Sequence, residues 1–175
     1  MSVIEFEGKK PKVHPSVFLA PGSWVIGDVT LEEGANVWTG AVVRGDDDSV
    51  TVGKNTTILE NCLVEAPTGT PVVIGEDSLI SHGATVHGAK IGSKCLVGVG
   101  AIVLDGSVIG DGCIVAAGAV CSPKTHLPAN QLALGIPAKP FREIGDKDRE
   151  AYLRELQRTG AKSKRYKTMY EAQKK

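Results

Sequence analysis

The chain has 175 residues, with 20 Lys and Arg against 20 Asp and Glu and an aromatic content of 5%. This length suits one domain with a buried core, and the balanced charge argues against nucleic acid as a partner of the chain as a whole. No apolar run is long enough to cross a bilayer and no apolar leader stands at the N-terminus, so we expect a cytoplasmic protein without a membrane partner.

Residues 1–22 contain three prolines and predict an irregular lead-in. An apolar residue then returns at every sixth position, with a small residue two positions before it. Two segments interrupt the series: an acidic one at 44–48, which suggests a solvated corner or an ion-pair partner, and a loop at 66–71. The phase of the series also shifts by one residue near Lys90. The apolar members are Val25, Leu31, Val37, Val43, Val52, Ile58, Val64, Ile74, Ile80, Val86, Ile91, Val97, Val103, Ile109, Val115 and Cys121.

A period of six residues is found neither in a helix nor in an ordinary long strand. Short strands that turn at regular corners do have it, so the sequence predicts an all-β solenoid, a parallel β-helix of hexapeptide repeats. The apolar residue fills the interior, and the small residue lies beside it near a corner. Cys62, Cys95, Cys113 and Cys121 fall at inward positions, and we interpret them as buried structural thiols.

Residues 122–141 are rich in proline and predict a closing, non-repetitive coil. From Asp146 the chain turns polar, with apolar residues at helical spacing, which predicts a C-terminal α-helix that covers one side of the solenoid. We therefore divide the chain into a β-helix domain at 1–141 and a helical tail at 142–175. Eleven Lys and Arg against six Asp and Glu give this tail a charge of +5, which we interpret as a solvated face rather than a nucleic-acid site.

The candidate chemistry lies on polar residues that the repeat does not require. His87 follows the inward Val86, and Glu65 follows the inward Val64 one coil earlier, so both side chains point outward and should lie one above the other, about 4.8 Å apart. His82 lies on the other side of a corner and should reach this point only from a neighbouring copy. Two imidazoles and one carboxylate are ordinary zinc ligands, so the pattern predicts a metal site at a subunit interface.

Several motifs together resemble the γ-class carbonic anhydrase family. They are RGD at 44–46, NTTI at 55–58, SH at 81–82, VHG at 86–88, GVGAIVLDG at 98–106 and GIPAK at 135–139. The resemblance implies a left-handed β-helix and a homotrimer with zinc or iron (Fe2+) held by three histidines at each subunit interface. His87 and a neighbour's His82 match two of these ligands. Arg44 and Asp46 match the pair that joins the subunits near the site.

The sequence departs from the family pattern at the site itself. Glu65 replaces the first histidine ligand, Leu59 replaces the glutamine that orients the metal-bound water, and Thr57 and Glu60 replace an asparagine and an aspartate beside it. A carboxylate ligand cancels part of the charge of the cation, which should make a bound water less acidic. Leucine cannot donate the missing hydrogen bond. With Glu60 and Glu65 as the candidate catalytic carboxylates, we expect weakened or absent hydration of CO2.

Three hypotheses remain open from the sequence. The first is a metal-binding γ-carbonic anhydrase-like homotrimer with residual activity on CO2 and bicarbonate. The second is a hexapeptide-repeat acyltransferase or a CoA-thioester hydrolase, because such enzymes share the β-helix and place a histidine between subunits. The acceptor-binding extensions that such enzymes often carry are not evident in this sequence, which argues against the second hypothesis. The third is a trimeric scaffold that has lost both the metal and the chemistry.

Overall fold

The computed structural model describes residues 2–173, and within this range it contains twenty β-strands followed by one α-helix. The strands are β1 (Ser2–Ile4), β2 (Lys12–Val13), β3 (Phe18–Leu19), β4 (Trp24–Leu31), β5 (Asn36–Val37), β6 (Val42–Val52), β7 (Thr57–Ile58), β8 (Leu63–Glu65), β9 (Val72–Ile74), β10 (Leu79–Ile80), β11 (Thr85–His87), β12 (Lys90–Ile91), β13 (Leu96–Val97), β14 (Ile102–Val103), β15 (Val108–Ile109), β16 (Ile114–Val115), β17 (Val120–Cys121), β18 (His126–Leu127), β19 (Gln131–Leu134) and β20 (Lys139–Glu143). The helix is α1 (Asp146–Gln173).

The strands form three parallel faces of a solenoid. The first face, which we name the helix face because α1 packs on it, consists of β3, β5, β7, β10, β13, β16 and β19. The second, named the site face, consists of β1, the first halves of β4 and β6, and then β8, β11, β14 and β17. The third consists of β2, the second halves of β4 and β6, and then β9, β12, β15 and β18. The predicted parallel β-helix with a C-terminal helix is confirmed.

The interior is filled by the predicted apolar and small series. Val25, Val43, Val64 and Val86 are fully buried, and the small residues beside them belong to the same cluster. The four cysteines are buried and unpaired. Burial raises the pKa of the Cys62 and Cys95 thiols to about 12, because a thiolate loses its hydration in the apolar interior.

At some corners, neighbouring coils approach so closely that only certain residue types fit. Gly40 has a positive φ of 74°, and a Cβ added there would lie 2.2 Å from Oδ1 of Asn61 in the next coil. Only glycine combines this backbone conformation with so short a distance. Asn61 has a φ of 60° at its own corner, a conformation that asparagine tolerates better than most residues.

The expectation of a non-repetitive coil at 122–141 is wrong. Strands β18 and β19 pair in parallel with β15 and β16 and so extend the solenoid, and only β20 turns back, antiparallel to β19. Leu127 and Ala133 keep the six-residue spacing from Cys121 and are buried in the core. Pro123 lies at a corner outside the strands. Pro128 directly follows β18, which is the last strand of its face, so the backbone N–H that it lacks would have no further coil to bond to.

Helix α1 lies on the helix face over a second apolar cluster. Its buried members are Phe18, Ala20, Trp38, Leu59, Leu79, Tyr152 and Leu156, with Leu96, Tyr166 and Tyr170 packed against them. The ring of Trp38 meets Phe18 and Tyr166 edge-on, each at a centroid distance of 5.5 Å, an arrangement that aromatic pairs prefer. No helix in the described range is long and apolar enough to cross a membrane.

Candidate active site

Three polar side chains form a column on the site face. Strand register pairs Arg44 with Glu65 and Glu65 with His87, so the three residues lie on successive coils. They point outward because Val43, Val64 and Val86, which precede them, point into the core. The predicted stacking of Glu65 on His87 is therefore present.

The lower part of this column is an ionic network. The guanidinium of Arg44 donates to Oε1 of Glu65 and, over 3.0 Å, to Oδ2 of Asp46. The Glu65 side chain is 17% exposed and the Arg44 side chain 38%, so the carboxylate is the more shielded partner of the ion pair. This network leaves Oε2 as the carboxylate oxygen of Glu65 that Arg44 does not bind. The acidic segment at 46–48 thus lies within strand β6 and supplies an ion-pair partner, which was one of the two expectations for it.

The upper part of the column contains a residue that sequence reasoning did not single out. Nδ1 of His87 lies 2.5 Å from Oδ1 of Asp105. An ionised carboxylate only accepts hydrogen bonds, so this contact suits a ring that carries its proton on Nδ1 and leaves Nε2 free. Strand register pairs Val86 with Val103, so the phase shift near Lys90 leaves this coil with seventeen residues. Asp105 is eighteen residues from His87 and so lies one residue beyond the position in register with it, which is why the repeat alone did not identify Asp105.

His82 lies at the other edge of the site face, at the corner that precedes β11. Its Nε2 is 3.1 Å from Oε2 of Glu60, an ion-pair distance, although Oε2 lacks an aligned hydrogen-bond donor within the described residues. A turn at 82–83 and then strand β11 separate His82 from His87, so the two histidines lie at opposite ends of this coil's segment on the site face. Within residues 2–173, no group of three His, Cys, Asp or Glu side chains lies close enough to hold a metal ion.

Leu59 and Thr57 lie on the helix face rather than beside Glu65 and His87. Leu59 is 2% exposed and belongs to the cluster beneath α1. Thr57 is fully buried, and its Oγ1 has no hydrogen-bond partner among the described residues. At these two positions the side chains therefore contribute to the surface on which the C-terminal helix packs.

An apolar column runs beside the polar one along the site face. In-register positions on six successive coils carry outward side chains that remain partly exposed, although most of them are apolar. They are Trp24, Val42, Leu63, Thr85, Ile102 and Val120. The loop at 135–138 continues the column, since Val120 exchanges backbone hydrogen bonds with Gly135 and Ala138, and it exposes the side chain of Ile136.

Comparison with known proteins agrees with this architecture. Residues 88–123 match the model of the bacterial transferase hexapeptide family, which comprises six repeats. The solved structure of a hexapeptide transferase family protein from Anaplasma phagocytophilum superposes with a TM-score of 0.89 at 30% identity, covering 94% of this chain and 97% of that one. Fold and repeat thus define a hexapeptide-repeat β-solenoid protein.

Curated relatives narrow this class. A probable carbonic anhydrase from Methanocaldococcus jannaschii is 40% identical over 136 residues, 78% of this chain and 86% of that protein. The mitochondrial gamma carbonic anhydrase 2 of Arabidopsis thaliana is 38% identical over 146 residues, 80% of this chain. The chain belongs to the γ-carbonic anhydrase-like family. It spans about half the length of the Arabidopsis relatives, 52% and 53%.

Proposed function

We propose that the protein is a metal-binding homotrimer of the γ-carbonic anhydrase-like family in which CO2 hydration is weakened or lost. The ligands would be Glu65 and His87 of one subunit and His82 of the next. The observation that carries this proposal is the placement of these residues: Glu65 and His87 share a column at one edge of the site face, and His82 lies at the opposite edge.

The donor atoms suit zinc or ferrous iron. Imidazole nitrogen and carboxylate oxygen are common ligands of zinc. His87 offers Nε2 because its Nδ1 is bonded to Asp105, and Glu65 offers the oxygen that Arg44 does not bind. His82 would have to turn from Glu60, and its half-exposed ring leaves room to do so. A cation bound here would supply the acidification of water that hydration of CO2 needs.

Two features of the site face favour assembly into a closed ring. A site whose ligands lie on opposite edges of one face needs a head-to-tail contact, and repetition of that contact by rotation gives a cyclic oligomer. The apolar column beside the ligands, from Trp24 to Val120, offers surface that such a contact would bury. A trimer is the ring that the family resemblance implies.

Weak hydratase activity would follow from the two departures from the family pattern at Glu65 and Leu59. Glu65 would bring a negative charge to the cation, and Arg44 would compete with the cation for the same carboxylate. Leu59 packs beneath α1 and offers no hydrogen bond to a nucleophile. Each change would make a metal-bound water harder to ionise or to orient near neutral pH.

Acyl transfer or hydrolysis of a CoA thioester is the second candidate function. The His82 imidazole is half-exposed beside the Glu60 carboxylate, and an exposed imidazole can serve as a general base. The hexapeptide transferase from Anaplasma shares the fold. Cleavage of acetyl-CoA that disappears in His82→Ala but persists in His87→Ala would favour this candidate. A scaffold without metal or activity is the third, and the Asp46–Arg44–Glu65 network, which satisfies its own charges, would suit it.

Mixing of two inactive variants tests the first candidate. His82→Ala and His87→Ala should each bind less than a tenth of the zinc that the unmodified protein binds. Subunits of the two variants, unfolded together and refolded, should regain zinc because one interface of a mixed ring contains both histidines. Each variant refolded alone is the control. A mixture that binds no more zinc than the controls, or a monomer at micromolar concentration, would exclude the shared site.

A further inference from the structure

We propose that Asp105 is the positioning residue of His87: it fixes the protonated nitrogen of the ring and so keeps Nε2 available as a ligand. The observation is the contact of 2.5 Å between His87 Nδ1 and Asp105 Oδ1. The inference rests on the proposed function for its consequence in metal binding, but the effect on the imidazole ring itself does not require a metal.

The fold makes room for this contact at one glycine. Asp105 follows β14 by two residues, and its carboxylate reaches down to the coil below, past Gly88. A Cβ on Gly88 would lie 2.5 Å from Oδ1 of Asp105 and 2.9 Å from Oγ1 of Thr70. Gly88 also has a positive φ of 58°, which most side chains disfavour. Glycine at this corner is therefore what lets the carboxylate reach the ring of His87.

The contact determines the chemistry of the ring. A neutral imidazole has one donor nitrogen and one acceptor nitrogen, and a carboxylate partner at Nδ1 selects the tautomer with the proton on Nδ1. Histidines that bind metals commonly donate their second ring nitrogen to a carboxylate, which sets the orientation and the basicity of the ligand. Both partners are partly exposed, with side chains 29% and 46% accessible, so the ring can be turned if the carboxylate is removed.

A second carboxylate in the same fold provides a matched control. Oδ1 of Asp111 accepts the backbone N–H of Ser93 over 2.8 Å, and a Cβ on Gly92 would lie 2.4 Å from that oxygen. Asp111 thus also reaches over a glycine of the coil below, but it binds backbone and touches none of the proposed ligands. If Asp105 served only the structure, Asp105→Ala and Asp111→Ala would have similar consequences.

The test uses three substitutions at the contact. Asp105→Ala removes the acceptor, Asp105→Asn keeps an acceptor oxygen without the charge, and Gly88→Ala displaces the carboxylate without removing it. Long-range 1H–15N NMR spectra of the full chain without metal, recorded about two pH units above the ordinary imidazole pKa of ~6.5, report the tautomer of His87. Zinc affinity is measured separately by competition with a chromogenic chelator.

We expect the Nδ1–H tautomer in the unmodified protein and in Asp105→Asn, and a shift toward the Nε2–H tautomer in Asp105→Ala and Gly88→Ala. Zinc affinity should fall about 10- to 100-fold in Asp105→Ala, less in Asp105→Asn, and should not change in Asp111→Ala. An unchanged tautomer in Asp105→Ala would overturn the proposal. An unmodified protein that binds no zinc while the tautomer shifts as described would refute the metal site and leave the role of Asp105 standing.

Discussion

Replacement of Leu59 by glutamine tests whether this position serves the packing of the helix. Leu59 is 2% exposed in the cluster beneath α1. Burial of a leucine side chain contributes about 1.5–3 kcal/mol, and an amide buried without a partner costs about 1–3 kcal/mol. The two side chains have similar volumes, so a cavity adds little. We therefore expect Leu59→Gln to lower the free energy of unfolding by roughly 3–5 kcal/mol, which corresponds to a melting temperature lower by roughly 10 °C.

Urea unfolding at a fixed protein concentration measures this change, since dissociation of an oligomer would otherwise alter the midpoint. The control is Leu153→Gln on α1 itself. Leu153 is 41% exposed, so its replacement should cost less than about 1 kcal/mol. Equal unfolding free energies for the two variants would refute the placement of Leu59 beneath α1. They would also leave the replacement of glutamine by leucine without a packing explanation.

Three further outcomes follow from the structure. Glu65→His should raise the rate of CO2 hydration by about tenfold or more in zinc-loaded protein, measured by stopped flow, because a neutral ligand restores charge to the cation. The control is Glu65→Gln, which is neutral but a poor ligand. A Glu65→His variant with no gain in rate would contradict the proposed cause. Arg142 lowers the pKa of Asp148 from its ordinary 3.8 to about 2, so this stabilisation of the start of α1 is complete above pH 4 and lost as the pH falls toward 2. Protection factors of the amides in the first helical turn, which are corrected for the intrinsic pH dependence of exchange, should fall across that window in the unmodified protein but not in Asp148→Asn. Equal changes in both proteins would be inconsistent with the contact. Cys62 and Cys95, with thiol pKa values raised to about 12 by burial, should resist Ellman's reagent near pH 8 until denaturant is added, and rapid labelling of native protein would show that the core is accessible.

The sequence by itself determined the solenoid and half of the candidate site. A coil of three short strands repeats the same backbone geometry, so the six-residue period fixed which residues point inward, and it placed Glu65 next to His87. The same arithmetic held past the regular block, where Leu127 and Ala133 stay in phase. The error at 122–141 arose because proline was taken to exclude strands, whereas strands of two residues leave enough corner positions to accommodate it.

Only the tertiary structure decided which partner each polar or outward side chain has. The period specifies the direction of a side chain but not its rotamer, so it could not show that Arg44 would bind Glu65 or that Asp105 would reach past Gly88 to His87. It also could not place Leu59 beneath Tyr152 and Leu156, some ninety residues later in the chain. Repeat periodicity is a local property of the backbone, whereas the docking of a helix and the pairing of charges are long-range contacts set by the three-dimensional arrangement of the whole chain.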